Sequence, residues 1–379
     1  MLFNVLAFCY NRGMRIERIK LMQFRNYESL DLSPHPQLTV LLGDNAQGKT
    51  NILEAIGLCA TGRSHRTPHD AQLIHWDRDG SYIGLNIKRL DVSRRIEVRL
   101  RRNKGKQIRL DGNPIARMGE LMGCLNAVFF SPEDLRLVKG GPGERRRFLD
   151  MEISQIYPRY FFALSGFSRA LAQRNALLKN IASGRSPAEL LDSWDEQLAE
   201  YGCLLISLRR LFVSQLHEEA ARIHREISGR RETLHLCYQA DVSGNNGTTD
   251  DDRTALLATL SVQRKEDIRK GTTLRGPQRD DLLFRLNDRD ARLYASQGQQ
   301  RSIALSVKLG ELSLMRHQIG EPPILLLDDV LSELDEHRQS LLIEAARRQQ
   351  TFLTGTTLPF PVTGDVYRIS AGILTHAPS

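Results

Sequence analysis

The sequence predicts an α/β fold built around a phosphate-binding loop, and three observations predict it. A strand-like run, Leu38-Thr39-Val40-Leu41-Leu42, leads into Gly43-Asp44-Asn45-Ala46-Gln47-Gly48-Lys49-Thr50, and a helical run with Ile52, Leu53 and Ile56 on one face follows. Towards the other end, Pro323-Ile324-Leu325-Leu326-Leu327 is apolar throughout and stops at Asp328-Asp329, the pattern of a strand buried on both faces that ends at a ligand crevice. Between them the hydrophobic spacing turns helical. The expected architecture is a mixed sheet carrying the loop, an antiparallel β-meander, and an inserted, mainly helical lobe.

Taken in order, Met1 to Gly13 is apolar at first but has no basic leading region and no small-residue cleavage site, so it reads as an N-terminal extension and not a secretory signal. A first strand covers Arg15-Ile16-Glu17-Arg18-Ile19-Lys20-Leu21. After the phosphate loop and its helix, Tyr82–Ile87, Arg95–Leu100 and Gln107–Leu110 alternate as the strands of a meander that turns at Asp111-Gly112. From about 144 to 269 the period is helical, with Phe161, Leu164, Phe167, Leu171 and then Leu204, Leu208, Leu211, Leu216 on candidate core faces. Asp241 to Asp252 is rich in Gly, Asn, Thr and Asp and reads as a surface loop. Strands return at Asp281. No heptad is sustained, and the span from Lys49 to Ser296 is too short for a long coiled coil once the strands are set aside. The expected division is residues 14–135 with 270–379 as the head and 136–269 as the lobe.

The loop pattern has a chemical reason. Gly43 and Gly48 let the backbone curl so that successive N–H groups and the helix N-terminus face a phosphate; Lys49 reaches the terminal phosphates, and the Thr50 hydroxyl offers an oxygen to Mg²⁺. Asp328 is placed to hold Mg²⁺ and Asp329 to polarise an attacking water. A third motif, Tyr294-Ala295-Ser296-Gln297-Gly298-Gln299-Gln300-Arg301, opens a helix bearing Ile303, Leu305, Leu309 and Leu312, a second anion-attracting N-terminus in one chain. No aromatic close to the phosphate loop in sequence offers itself to stack on a base.

These motifs, in this order, resemble the ABC-type ATPases: Ser296, Gln297, Gly298 and Gln299 look like the signature motif, and Ser332-Glu333-Leu334-Asp335 looks like the D-loop. The first strand with Phe24-Arg25-Asn26-Tyr27 resembles the opening of the SMC-like members. Phe130-Ser131-Pro132-Glu133-Asp134-Leu135, Arg145-Arg146-Arg147-Phe148-Leu149-Asp150 and Gly276-Pro277-Gln278-Arg279-Asp280-Asp281 extend a similarity to the RecF family from Met14 to the C-terminus. Two positions depart from it: Gln278 stands where histidine is expected, and Thr354-Gly355-Thr356 stands where many ABC ATPases carry a switch histidine.

The resemblance implies an ATP- and Mg²⁺-dependent switch with weak, DNA-stimulated ATPase activity. It further implies a homodimer closed head to tail by ATP, with Ser296, Gly298 and Gln299 of one subunit meeting the γ-phosphate on the other. Its implied partners are double-stranded, gapped or junction DNA, RecR, RecO and, through them, RecA, in recombinational repair and replication restart in the bacterial cytoplasm. A structural tether without turnover is the alternative; a transporter ATPase subunit fits the meander and the length poorly.

Composition agrees. The 379 residues carry a net charge of +8, suited to a polyanionic partner. Arg63 and Arg66, then Arg99, Arg102, Lys104 and Lys106 on the meander, are the candidate DNA contacts, and the few aromatics among them favour a backbone-tracking grip on duplex over base stacking. Arg63 also reads as a phosphate or dimer contact, and Arg145-Arg146-Arg147 either bridges the two lobes or touches DNA. Five scattered cysteines without a C-x-x-C pair read as reduced thiols. No stretch is long and apolar enough to span a bilayer.

Overall fold

A computed structural model describes residues 13–357 and 363–377. The expected extension lies outside them, Gly13 excepted. Two compact units emerge, Met1–Asp134 with Glu311–Ser379, and Leu135–Gly310.

The first unit begins with β1 (Arg15–Phe24), β2 (Tyr27–Leu32), β3 (Leu38–Leu42), α1 (Lys49–Thr61), β4 (Gly80–Arg89), β5 (Val92–Arg101), β6 (Gly105–Leu110), β7 (Asn113–Pro114) and β8 (Ala127–Phe130). The antiparallel meander is the expected one, extended: β1 pairs with both β2 and β4, giving the order β2-β1-β4-β5-β6-β7. Alternation drives it, since Ile96, Val98 and Leu100 of β5 are buried while Arg95, Arg99 and Arg101 are exposed. Leu90 and Asp91, both at positive φ, make the tight β4–β5 turn.

The second unit contains α2 (Leu135–Lys139), α3 (Pro142–Ile156), α4 (Pro158–Ala182), α5 (Asp192–Ile227), β9 (Leu234–Gln239), α6 (Thr249–Lys270), β10 (Asp281–Leu286), β11 (Arg289–Asp290), α7 (Ala291–Tyr294) and the start of α8 (Gln297–Ile319). Buried arginines tie its helices. Arg174 binds Asp195 at 2.6 Å, Asp267 at 2.7 Å and Thr273 at 2.8 Å. Arg209 meets Tyr160 at 2.8 Å, Asp150 at 2.8 Å and Asp280 at 2.7 Å. Charges so deep are tolerated only when paired and hydrogen-bonded, so removing one partner would leave an uncompensated buried ion.

The chain returns to the first unit with β12 (Ile324–Leu327), α9 (Glu336–Ala346), β13 (Thr351–Gly355), β14 (Asp365–Ser370) and β15 (Ile373–Ala377). Its second sheet has the order β15-β14-β3-β13-β12-β8 and is parallel except for the β14–β15 hairpin. All four residues of β12 are buried, as a central parallel strand requires.

Four expectations change. The strand β9 falls inside the stretch read as helical and pairs with β10, so residues 270–310 join the second unit and its boundary moves from 270 to 311. The 241–252 loop stops earlier, because Thr248 caps α6 by accepting from the Asp251 N–H at 3.2 Å. Leu204 and Leu211 are exposed, while Leu208 and Leu216 are core. Arg145 pairs bidentately with Asp281 at 2.7 and 2.8 Å and Arg146 donates to the Asp280 carbonyl at 2.8 Å; these pairs join the stretches expected as lobe and head, and with the boundary at 311 they lie inside the second unit. Cys59, Cys124, Cys203 and Cys237 are free thiols. Among the described residues no helix is long and apolar enough to cross a membrane.

Candidate nucleotide-binding site

The phosphate loop leaves β3 at the C-terminal edge of the parallel sheet and feeds α1. Gly48 takes φ 114°, and a Cβ there would meet the Asn26 side chain at 2.6 Å, so only glycine fits. The loop backbone is held from outside: Asn26 Nδ2 donates to the Gln47 carbonyl at 2.8 Å, Tyr27 Oη to that of Gly48 at 3.1 Å, and Gln47 Oε1 accepts from the Ala371 N–H at 2.6 Å. No side chain caps α1. A helix N-terminus with no side-chain cap, opening directly from a curled glycine loop, fits a polyphosphate. Asp44, Asn45 and Ala46 form the outer curve, with Ala46 at φ 66°.

Lys49 is buried; its Nζ donates to the Gly43 carbonyl at 2.6 Å and stands 3.6 Å from Asp329. Thr50 Oγ1 donates to Asp328 Oδ1 at 2.8 Å, and Thr354 Oγ1 donates to the same oxygen at 2.9 Å. Thr354 Oγ1 also accepts from the Asp329 N–H at 2.9 Å. Sheet order explains this: β13 lies between β3 and β12, so a residue at its end reaches both. Burial pushes the Asp328 carboxyl above the usual aspartate range, the two threonine hydrogen bonds oppose that, and the neighbouring Asp329 reinforces it. An underneutralised carboxylate beside a threonine hydroxyl is a hard-oxygen pair, which fits Mg²⁺ supplemented by phosphate oxygens and water.

Behind the loop, Glu54 of α1 is fully buried. Arg25 grips it bidentately at 2.9 and 2.7 Å, Ser64 Oγ donates at 2.5 Å, and Arg66 lies 3.7 Å away. A cleft of about 440 Å³ opens over Lys49 and Thr50 and is lined also by Arg25, Asn26, Arg66 and Trp76. Arg66 therefore faces this cleft. The sequence assigns no site role to Asn26, Glu54, Thr354 or Trp76, although the Phe24–Tyr27 segment and the Thr354-Gly355-Thr356 position both stand out in it.

Ser296 and Gln299 form a reciprocal cap on α8, Ser296 N–H donating to Gln299 Oε1 at 2.8 Å and Gln299 N–H to Ser296 Oγ at 3.3 Å. Ser296, Gln297 and Gly298 are exposed, and the serine hydroxyl keeps its own proton to donate. Ser332 Oγ donates to the Asp329 carbonyl at 2.8 Å, and Asp335 caps α9 by accepting from the Arg338 N–H at 2.9 Å. Of the basic candidates, Arg99, Arg102, Lys104 and Lys106 share the β5–β6 hairpin, and Arg63 follows α1. Arg63 and Lys104 are exposed, Arg102 donates to the Arg78 carbonyl at 2.9 Å, Arg99 lies 5.8 Å from the Tyr82 ring centroid, and Lys106 is ion-paired with Asp70 at 3.0 Å.

A phosphate loop, an acidic strand in the same parallel sheet, a flanking antiparallel meander and a capped signature-like helix define a P-loop nucleotide-binding protein of the ABC type, SMC-like branch. Residues 15–356 match the RecF/RecN/SMC N terminal domain. The chain is 44% identical over 346 residues to the DNA replication and repair protein RecF of Alkaliphilus oremlandii, covering 91% of this chain and 94% of that one. It is likewise 44% identical to RecF of Lachnospira eligens, with 91% and 93% covered. The ATP-bound structure of the recombination mediator protein RecF in the RecFOR pathway superposes with a TM-score of 0.91 at 35% identity, covering 97% of this chain and 98% of that one. The Smc head of Pyrococcus furiosus shares the fold at 16% identity, TM-score 0.54. The chain belongs to the RecF family of DNA replication and repair proteins.

Proposed function

We propose that this chain is an ATP-driven DNA switch: it binds ATP and Mg²⁺, dimerises head to tail on DNA, and is released by slow, DNA-stimulated hydrolysis. The convergence of Thr50, Asp328 and Thr354 beside Lys49 carries this reading. The backbone from Gly43 to Thr50 cradles the phosphates, and Lys49 exchanges its bond to the Gly43 carbonyl for phosphate oxygens. Thr50 and Asp328 would hold Mg²⁺, which neutralises phosphate charge when bound. Asp329, whose side chain is 35% exposed, accepts a proton from the attacking water.

The exposed cap at Ser296, with Gln297, Gly298 and Gln299, acts in trans on the partner subunit's γ-phosphate, and Ser332 and Asp335 line the same contact. Arg63, Arg99, Arg102 and Lys104 supply sequence-indifferent contacts to duplex at gaps or junctions. The switch acts in recombinational repair and replication restart in the bacterial cytoplasm, with RecR and RecO and, through them, RecA; membership of the RecF family supports this reading. Lys49→Ala should abolish ATP-dependent dimerisation and DNA retention together, read by analytical ultracentrifugation with ATP, ADP or neither, with and without gapped duplex. Wild-type dimerisation by Lys49→Ala on ATP would overturn the reading.

A further inference from the structure

We infer that Trp76 is the base-binding end of the nucleotide cleft, its indole stacking on the nucleobase of a triphosphate whose phosphates occupy the Gly43–Thr50 loop. The inference rests on the nucleotide reading above. Trp76 is 82% exposed, so packing does not explain a tryptophan here, yet it lines the same cleft as Lys49, Thr50 and Arg66. Its backbone is pinned. Ile74 forms an antiparallel bridge with Phe24, the Arg25 N–H donates to the Leu73 carbonyl at 2.8 Å, and the His75 N–H donates to the Gln23 carbonyl at 2.8 Å. On the far side the His75 ring lies 2.8 Å from the Trp76 carbonyl through Nδ1, and Asp77 takes φ 60°. Trp76 thus opens the turn directly after this bridge, next to the segment Gln23–Asn26, whose Asn26 braces the phosphate loop.

An indole presented this way offers a π-face to a planar ligand at low entropic cost, because only two side-chain torsions remain to be ordered. The cleft's other end binds phosphate, so the planar ligand that reaches both is a nucleoside triphosphate. Stacking is sequence-tolerant, and losing one base-aromatic stack is typically worth about 5- to 150-fold in affinity.

The test uses the full chain with Trp194→Phe, leaving Trp76 as its sole tryptophan, and two ligands with Mg²⁺: ATP and inorganic tripolyphosphate. ATP should quench the Trp76 emission and tripolyphosphate should not. Trp76→Ala should weaken ATP binding by about tenfold or more by calorimetry, leave tripolyphosphate binding unchanged, and Trp76→Phe should restore most of the loss. Equal ATP affinity in Trp76→Ala, or equal loss for both ligands, overturns the stacking role while Lys49→Ala still tests the phosphate loop separately. A wild-type chain that binds neither ligand overturns the nucleotide reading and this inference with it.

Discussion

Thr50 and Asp328 are 278 positions apart in the chain, and the threonine hydroxyl donates to the carboxylate at 2.8 Å. The start of α1 and the end of β12 meet because β3 and β12 both flank β13 in a parallel sheet, which puts their C-terminal ends on one edge. Any role for Asp328 in this site depends on that alignment.

Asp328 and Asp329 should separate on mutation. Asp329→Asn should keep ATP and Mg²⁺ bound and slow hydrolysis by about 10²- to 10⁴-fold, trapping the dimer on DNA. Asp328→Asn should instead weaken Mg²⁺-dependent binding. Titrating Mg²⁺ against nucleotide affinity, alongside single-turnover hydrolysis, reads the two effects; identical behaviour would remove the division of roles.

Thr354→Val keeps the side-chain shape but deletes the hydroxyl that serves both Asp328 Oδ1 and the Asp329 N–H. A cost of about 1–3 kcal/mol in stability is expected from the groups left unpaired. Misplacement of Asp329 should also slow hydrolysis while ATP affinity changes little. Denaturant melts and turnover assays on the same preparation check both.

Ser296→Arg should leave monomer ATP affinity nearly unchanged and abolish dimerisation, DNA retention and hydrolysis, because bulk and charge replace an exposed cap meant for another subunit. Mixed with Lys49→Ala, it supplies one intact composite site, and partial dimer formation should return. No recovery in sedimentation would return Ser296 to a cap on its own helix.

Glu54 provides the pH test. Burial pushes its carboxyl up, but the hydrogen bonds from Arg25 and Ser64 and the charges of Arg25 and Arg66 outweigh that and hold it below the usual glutamate value. A depressed carboxylate contributes stability that is complete above its unfolded pKa and lost as pH falls through the folded one. Glu54→Gln should cost about 1–3 kcal/mol near neutrality, since it removes the charge that the Arg25 and Ser64 hydrogen bonds serve while both arginines keep solvent and a second partner. The gap between wild type and variant should narrow in acid, as measured by denaturant unfolding across pH; a gap that stays constant would contradict the pairing.

Local chemistry explains what the sequence determined by itself. The loop from Gly43 to Thr50, the apolar run ending at Asp328-Asp329 and the Ser296 cap are written in consecutive residues, because backbone curvature, continuous burial and helix capping are set within a few positions. The meander was legible for the same reason, as alternation over Arg95–Leu100 shows. Pairing between distant segments decided the rest. Residues Leu234–Gln239 became a strand only because Asp281–Leu286 supplies their hydrogen bonds, and that pairing moved the unit boundary to 311. Thr354 reached Asp328 only through strand order, and Glu54 gained Arg25 and Arg66 only through packing around α1. Trp76 reaches the cleft over Lys49 and Thr50 because the Ile74–Phe24 bridge carries it there. Hydrophobic period reports which face a residue prefers, whereas a site assembled from several chain segments exists only once their backbone hydrogen bonds have chosen partners.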